Sequence, residues 1–362
     1  MRKVIALAIL LAMLPPILTG CRAVPPKYNK YSDTFFGTFD APVQLIAYTK
    51  SEQEFNSYFA AAGARFQELH RLYDIYNNYP GLNNIKTIND NAGEKPVKVD
   101  KEIIDLVLFA KEWYAKVGGT NIALGPVLKI WHDYRLAGND DPTEAKLPPM
   151  ADLQAAARYT DLDKVIVDPA AGTVFLAERQ MRLDVGAVAK GYAAEIVARE
   201  LEMMGLKSGI INAGGNVRVL GEPLDGVRKR WGVGIHNPEK SIFDEDNPYL
   251  DTIYVNQAAV VSSGDYQRYY IVDGKRMHHL IDPRTLMPAN HYRMVTVVTA
   301  DSGVADFLST AAFVLPYEES RVLIQGLDGV EALWVTSDGQ VEATDGMKKI
   351  MRSQGASGAT AQ

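Results

Sequence analysis

Cysteine is almost absent from this chain: Cys21 is the only one in 362 residues. A single thiol cannot close an internal disulfide or supply a multi-cysteine metal site. Positive charge is also short, with 38 Lys and Arg against 44 Asp and Glu, a formal charge of −6. An acidic chain without a basic stripe disfavours nucleic acid as a partner. Several signatures are missing altogether: G-x-x-x-x-G-K-[ST], H-E-x-x-H, G-x-S-x-G and G-x-G-x-x-G do not occur, which removes the commonest phosphate loop, zinc-protease, hydrolase and dinucleotide readings. No low-complexity block interrupts the middle, and 47% of the residues are hydrophobic. Disordered and fibrous classes are thereby excluded, and a sizeable core is expected in one large domain or two intimately packed ones.

The first residues differ from the rest. Arg2 and Lys3 precede an apolar run from Val4 to Met13, and Leu18-Thr19-Gly20-Cys21 follows. A short basic region, an apolar stretch too short to span a bilayer comfortably and small residues before a cleavage point describe an export signal. The last four residues resemble a bacterial lipobox, whose cysteine is diacylated and becomes the new N-terminus. Pro15-Pro16 argues against an uncleaved membrane helix. The expected organisation is a lipoprotein signal peptide over 1–20, lipidation at Cys21, a tether over 21–33, one domain over 34–350 and a disordered, small-residue tail over 351–362. Cleavage removes Arg2 and Lys3, leaving 36 basic against 44 acidic side chains, or −8. The expected location is the extracytoplasmic face of a bacterial cell membrane. No later segment is long and apolar enough to cross a bilayer.

Hydrophobic period switches repeatedly between about 2 and about 3.6, so strands and helices mix. Val43 to Tyr48 reads as a strand. Ser51 with Glu54 three residues on is a capping-box signature, and Phe55, Tyr58, Phe59, Ala62, Phe66 and Leu69 keep helical spacing after it. Further helices are expected from Asp100 to Val117, after Pro148-Pro149 to Tyr159, from Ala187 to Met204 and from Val304 to Leu315. Strands are expected at Val165–Val167, Thr173–Leu176, Met181–Leu183, Ile210–Asn212, Val217–Leu220, Trp231–Ile235, Thr252–Val255, Ala259–Ser262, Tyr269–Val272, Val295–Thr299 and, last, Ala332–Thr336. Successive strands with few helices between them imply an α+β fold with mixed or antiparallel sheets and flanking helices.

Four segments carry candidate chemistry. In Arg182-Leu183-Asp184-Val185-Gly186-Ala187-Val188-Ala189-Lys190 an acid and a glycine turn lead into a helix with Lys190 in its first turn. A cation there opposes the helix dipole, which suggests a bound anion such as phosphate; an Asp-capped helix with a solvated lysine is the equal alternative. Asn212-Ala213-Gly214-Gly215-Asn216 reads as a hairpin turn or as backbone left bare for a ligand. His278 and His279 point opposite ways on a strand, so they make a poor pair of ligands for one metal, whereas one can serve as a base while the other packs. Asp306 and Thr310 lie one helical turn apart, and a carboxylate with a hydroxyl suits a hard ion such as Mg²⁺, although the spacing itself is commonplace.

In order, these segments resemble the ApbE-type FAD:protein FMN transferase family, from Phe36 to about Trp334. The resemblance rests on GGTNIALGPVLKIW from Gly118, RLDVGAVAKGYAAE from Arg182, INAGGNVRVLG from Ile211, WGVGIHNP from Trp231, VVSSGDYQRYYIVDGKRMHHLIDPRT from Val260 and VADFLSTAAFVL from Val304. It implies a T-fold-like ApbE architecture. It also implies that Asp184 and Lys190 contact FAD, and that the main-chain oxygen of Ala187 joins Asp306 and Thr310 around Mg²⁺. Tyr76 matches an aromatic that packs on flavin or adenine; Phe36, Gly119, Thr120, Asn121 and Leu280 match further cofactor contacts. His279 matches the histidine of an H-x-x-D-P motif, a candidate base. Departures from the pattern are Phe36 for a frequent Met, Thr120-Asn121-Ile122 for Phe-Asp-Pro, Asn77-Asn78-Tyr79-Pro80-Gly81 for a Ser-rich stretch, and Leu286 for Gly.

The implied reaction is Mg²⁺-dependent transfer of the FMN half of FAD to a Thr or Ser hydroxyl of an exported acceptor, with release of AMP. Subunits of membrane redox complexes bearing an S/T-G-A-T/S-type segment are the implied acceptors, and Ser357-Gly358-Ala359-Thr360 in the tail resembles that core. The alternatives are an FAD pyrophosphatase, in which water replaces the hydroxyl, and a non-catalytic FAD-binding lipoprotein.

Overall fold

The computed structural model describes residues 27–240, 246 and 248–359. The signal peptide, Cys21 and Thr360 lie outside the described residues. Among the described residues no helix is long and apolar enough to cross a membrane.

Strand β1 (Asn29–Thr38) pairs antiparallel with β2 (Ala41–Thr49). Residues 29–33, expected in the tether, are therefore strand. The reason is not local: Asn29 to Phe35 find their ladder partners on Thr49 to Val43. Helix α1 (Glu52–Tyr73) starts at Ser51, whose hydroxyl accepts from Glu54 N–H. The Glu54 carboxylate reaches back to Lys50 N–H at 2.7 Å rather than to Ser51, so the box is shifted by one residue. The expected apolar face is the buried one, with Phe55, Tyr58, Ala62, Phe66 and Leu69 inside.

Next come α2 (Ile85–Asp90), β3 (Val97–Lys98), α3 (Lys101–Val117) ending at Gly118, α4 (Gly125–Asp140) and α5 (Met150–Ala157). Helix α4 was not among the expected helices, and Gly125-Pro126 opens it. Proline in the first turn needs no N–H partner and is well placed there. Strands β4 (Val165–Asp168) and β5 (Thr173–Leu176) complete a small sheet with β3. The strand expected at Met181–Leu183 is absent. Leu183 instead exchanges both of its main-chain hydrogen bonds with the Asn89 amide, at 2.7 and 3.0 Å. A side chain thus takes the place of a neighbouring strand.

The second half holds α6 (Ala189–Met203), β6 (Gly209–Ala213), β7 (Asn216–Leu220), β8 (Trp231–His236), β9 (Tyr249–Val255), β10 (Ala259–Gly264), β11 (Tyr269–Val272), β12 (Lys275–His278) and β13 (Tyr292–Thr299). After them come α7 (Ser302–Val314), α8 (Tyr317–Gln325), β14 (Glu331–Thr336), β15 (Val341–Ala343) and α9 (Asp345–Ile350). Strand β15 follows the one expected to be last.

Eight strands form the main sheet in the order β1-β2-β6-β7-β10-β13-β14-β15. Every described pairing in it is antiparallel. Alternation along the strands gives it two apolar faces. Val43, Leu45, Ile211, Val261 and Val297 meet α1, α6 and α7 through Phe66, Ala193 and Phe307. On the opposite face Tyr48, Ile210, Val260 and Leu333 pack on Trp231 and Ile253 of the β8–β9 hairpin and on Met347 of α9. The described tail is not loose, contrary to expectation. Gly358 O accepts from Lys229 N and Arg230 N, and Ser353 Oγ donates to Asp251. Main-chain bonds of this kind leave no mark on side-chain composition.

Candidate functional site

Helices α6 and α7 cross so closely that glycine is required at the contact. A Cβ on Gly191 would lie 2.2 Å from Ser302 O and 2.5 Å from Asp306 Cβ. The approach lets Gly191 N–H donate to Asp306 Oδ2 at 2.8 Å and leaves Lys190 Nζ 4.0 Å from Oδ1. Behind the crossing, buried Glu195 accepts from Arg218 Nε at 2.8 Å, Ser302 N at 2.9 Å and Arg199 Nε at 2.9 Å. One carboxylate thereby ties α6 to β7 and to the start of α7. These hydrogen bonds hold the Glu195 pKa below the usual value despite the opposing effect of burial. On the next turn Ser263 at the end of β10 contacts Ser309 Oγ at 2.8 Å and Thr310 Oγ1 at 3.4 Å.

Asp306, Thr310, Lys190, Ala187 and Asp184 line one cavity of about 1140 Å³, together with Tyr76, Gly119, Thr120, Asn121, His279 and Leu280. Of the residues expected at the site, Phe36 alone lies outside it. That ring is 75% exposed, because the β1–β2 register shifts between Phe35 and Thr38. Phe39 lines the cavity instead, edge-on to His70, whose Nδ1 accepts from Phe39 N–H. Thr120 and Asn121 reach the cavity, but their polar groups are committed elsewhere. Thr120 donates to Phe307 O, while Asn121 donates to Thr160 O and accepts from Ala123 N–H.

The start of α6 departs from both readings of its sequence. Asp184 is no cap: its carboxylate accepts from Gly186 N–H, and the cap position is Val188 without a side-chain bond. Nor is the helix start bare, since Ala189, Gly191 and Tyr192 N–H groups donate to Val185 O, Asp306 and Val188 O. Positive charge at this wall comes from the Lys190 side chain. Gly214-Gly215 turns β6 into β7 with φ of 58° and 95°; Gly214 lines the cavity, but its N–H donates to Pro42 O and that of Gly215 to Asn212 Oδ1, so this backbone is not bare.

The two histidines divide as their alternation requires. His278 is buried, donates from Nε2 to Ala289 O at 2.7 Å and accepts Leu280 N–H on Nδ1. His279 lines the cavity, and its solvent-shielded Nδ1 has no hydrogen-bond partner among the described residues. Burial first, then the charges of Arg268, His278, Arg135 and Lys190, hold the His279 pKa well below 6.5. The ring is therefore a neutral imidazole.

The family model for the ApbE family matches residues 39–334. The chain belongs to the ApbE family. It is 31% identical over 314 residues to an FAD:protein FMN transferase of Klebsiella pneumoniae strain 342, covering 86% of this chain and 90% of the relative. It is 35% identical over 277 residues to one from Treponema pallidum strain Nichols, covering 74% of this chain and 75% of that one. The ApbE protein of Thermotoga maritima MSB8 superposes with a TM-score of 0.76 at 26% identity, over 89% of this chain and 99% of that one. The flavin transferase ApbE of Vibrio cholerae shares the fold, with a TM-score of 0.71 at 20% identity over 89% of this chain and all of the other.

This ApbE chain also places at the cavity residues that its sequence did not announce. Asp74 organises the Tyr76 loop: its carboxylate accepts from Tyr76 N at 2.6 Å, Asn77 N at 3.1 Å, Asn77 Nδ2 at 3.0 Å and Tyr79 Oη at 2.7 Å. An Asp two residues before Tyr76 is an Asx-turn signal, available in the sequence but common. His132 stacks near Tyr76, with ring centroids 5.2 Å apart at 32°. Its α4 neighbour Arg135 and the loop residue Arg268 also line the cavity. Nothing in their local spacing marks them.

Proposed function

We propose that this cavity is the active site of an FAD:protein FMN transferase, which passes FMN from FAD to a Ser or Thr hydroxyl of an acceptor protein and releases AMP. The observation that carries the reading is the meeting of Asp306 from α7 with Lys190 and Gly191 from α6 on the wall of a cavity of about 1140 Å³. Ligand sites of drug-sized molecules occupy roughly 300–1,000 Å³, so there is room for a dinucleotide.

The donor set fits a hard divalent cation such as Mg²⁺. Asp306 Oδ2 is occupied by Gly191 N–H, but Oδ1 has only Lys190 Nζ near it, at 4.0 Å, among the described residues. Thr310 Oγ1 makes one long contact, at 3.4 Å. Among the described residues no group of three or more His, Cys, Asp or Glu could enclose a metal. Asp306, Thr310 and the main-chain oxygen of Ala187 would hold such a cation, a kind that commonly takes water and phosphate oxygens as further ligands. When bound it supplies Lewis-acid stabilisation of diphosphate charge.

The chain's own groups do the rest. Lys190 places a fixed positive charge where charge grows on the departing AMP phosphate. Tyr76, held by Asp74, offers a half-exposed ring for a flat heterocycle. Neutral His279 takes the proton of the acceptor hydroxyl as its oxygen attacks the FMN phosphorus. The new O–P bond forms as the P–O bond to AMP breaks, and the products are AMP and a phosphoester-linked FMN. The lipobox-like residues 18–21 support export and lipid anchoring at the extracytoplasmic face, where acceptors would be exported subunits of redox complexes.

Asp306→Asn tests the assignment, because it keeps an oxygen for Gly191 N–H and removes the charge. FMN transfer to an acceptor, read by in-gel flavin fluorescence, should fall by two or more orders of magnitude while the melting temperature is retained. Full turnover at saturating Mg²⁺ would overturn it.

A further inference from the structure

Two cations beside His279 have no role in the chemistry above. Arg135 is half-buried on α4, and its Nη2 meets His132 Nδ1 at 3.0 Å. His132 offers no compensating charge, since burial and then Arg135 lower its pKa. Arg268 is exposed on the turn between β10 and β11 and lines the same cavity. Arg276 and Arg293 nearby are both satisfied, the first by Asp265, the second by Asp265 and Glu239. Among the described residues no carboxylate stands within the 4.0 Å ion-pair distance of Arg135 or Arg268. Burial and the facing Arg268 charge both lower the Arg135 pKa, the field of Asp184 offsetting them only in part. Like charges left together in this way gain from an anion that joins them.

We propose that Arg135 and Arg268 form the docking site for a carboxylate of the acceptor protein, and so set which hydroxyl reaches His279. The inference rests on the transferase reading. Position selects a protein carboxylate over a nucleotide phosphate. Lys190 and Asp306 in the cavity wall have side chains only 21% and 5% exposed, whereas Arg268 is exposed where a macromolecule can reach. Arg268 is also tied to the base, because its carbonyl accepts His279 N–H at 3.1 Å. A carboxylate gripped there therefore brings its own chain alongside the imidazole. The net acidic chain repels an acidic segment elsewhere, and the arginine pair then adds orientation as well as attraction.

The test uses the full exported chain with FAD and Mg²⁺, and three peptides containing Ser-Gly-Ala-Thr preceded by Asp, Asn or Lys. Wild type should load FMN on the Asp peptide with a kcat/KM about tenfold above the Asn peptide, with Lys lowest. Arg268→Glu should reverse the order so that the Lys peptide is preferred, and FAD affinity by flavin fluorescence should not change. Arg135→Gln should flatten the ranking. If Arg268→Glu weakens FAD binding tenfold and keeps the peptide ranking, the pair serves the nucleotide and the inference is wrong. If wild type treats all three peptides alike, the inference also falls, while the transferase reading stands. Absence of FMN on every peptide with wild type overturns both.

Discussion

Substitution of Gly191 by alanine sets two known effects against each other at the α6–α7 crossing. Helix propensity alone favours alanine by about 1 kcal/mol. The packing argues the other way, since the added methyl would lie 2.2 Å from Ser302 O and 2.5 Å from Asp306 Cβ. Carbon contacts settle at about 3.5–4.0 Å, so the helices must part by more than about 1 Å. Overpacking of this kind costs about 1–3 kcal/mol. The separation also breaks the Gly191–Asp306 hydrogen bond and withdraws Lys190 from Asp306. A displacement of about 1 Å among groups that position a reaction costs on the order of a hundredfold in rate. Gly191→Ala should therefore lower the unfolding free energy by up to about 2 kcal/mol and transfer by about a hundredfold. Denaturant unfolding and FMN loading of an acceptor, followed in parallel, provide the measurement. A variant that gains stability and keeps full turnover would show that the helices do not approach as described, and the placement of Asp306 against Lys190 would fail with it.

Other predictions follow from the same contacts. Glu195→Ala leaves the buried Arg218 guanidinium uncompensated and should cost about 3–5 kcal/mol in denaturant unfolding; a loss below about 1 kcal/mol would mean that the three-way tie is not formed. Asp74→Asn removes the charged acceptor at the Tyr76 turn, so the FAD KM should rise about tenfold with little change in kcat; an unchanged KM would detach Tyr76 from FAD binding. Acidification should act through His278 and His279, whose folded pKa values both lie below 6.5. Above about pH 6.5 these rings are neutral folded or unfolded and contribute nothing to pH dependence. Below it the unfolded chain binds protons that the folded one excludes, so stability falls as pH falls. The slope below about pH 6 should shrink in His279→Gln, and an unchanged slope would contradict the shielding of His279 Nδ1 from solvent.

Much of the fold was legible because local pattern and tertiary role agreed. The face Phe55-Tyr58-Ala62-Phe66-Leu69 is buried, and Thr173–Leu176 is a strand with the expected ends. The failures have a common physical origin. Residues 29–33 become strand through β2, Leu183 bonds to a distant Asn89 side chain, and the tail is held by main-chain groups at 229 and 230. In each case the partner is remote in sequence, so no window around the residue contains it. At the site, the Asp306–Thr310 spacing was visible but indistinguishable from an ordinary helical pair.

The amino-acid order alone determined an α+β chain of the ApbE type and that His278 and His279 face different surroundings, because neighbours on an extended chain point to opposite sides; which of them lines the cavity was decided by the fold. Whether Asp306 meets Lys190 was decided only by tertiary structure. That meeting needs a glycine more than a hundred residues from the carboxylate and a buried Glu195 to hold two helices against one strand. The gathering of Arg135 and Arg268 around His279 has the same character. Two charges 133 residues apart in the chain (268 − 135) share one cavity because sheet and helix packing, rather than sequence proximity, sets the distance between them.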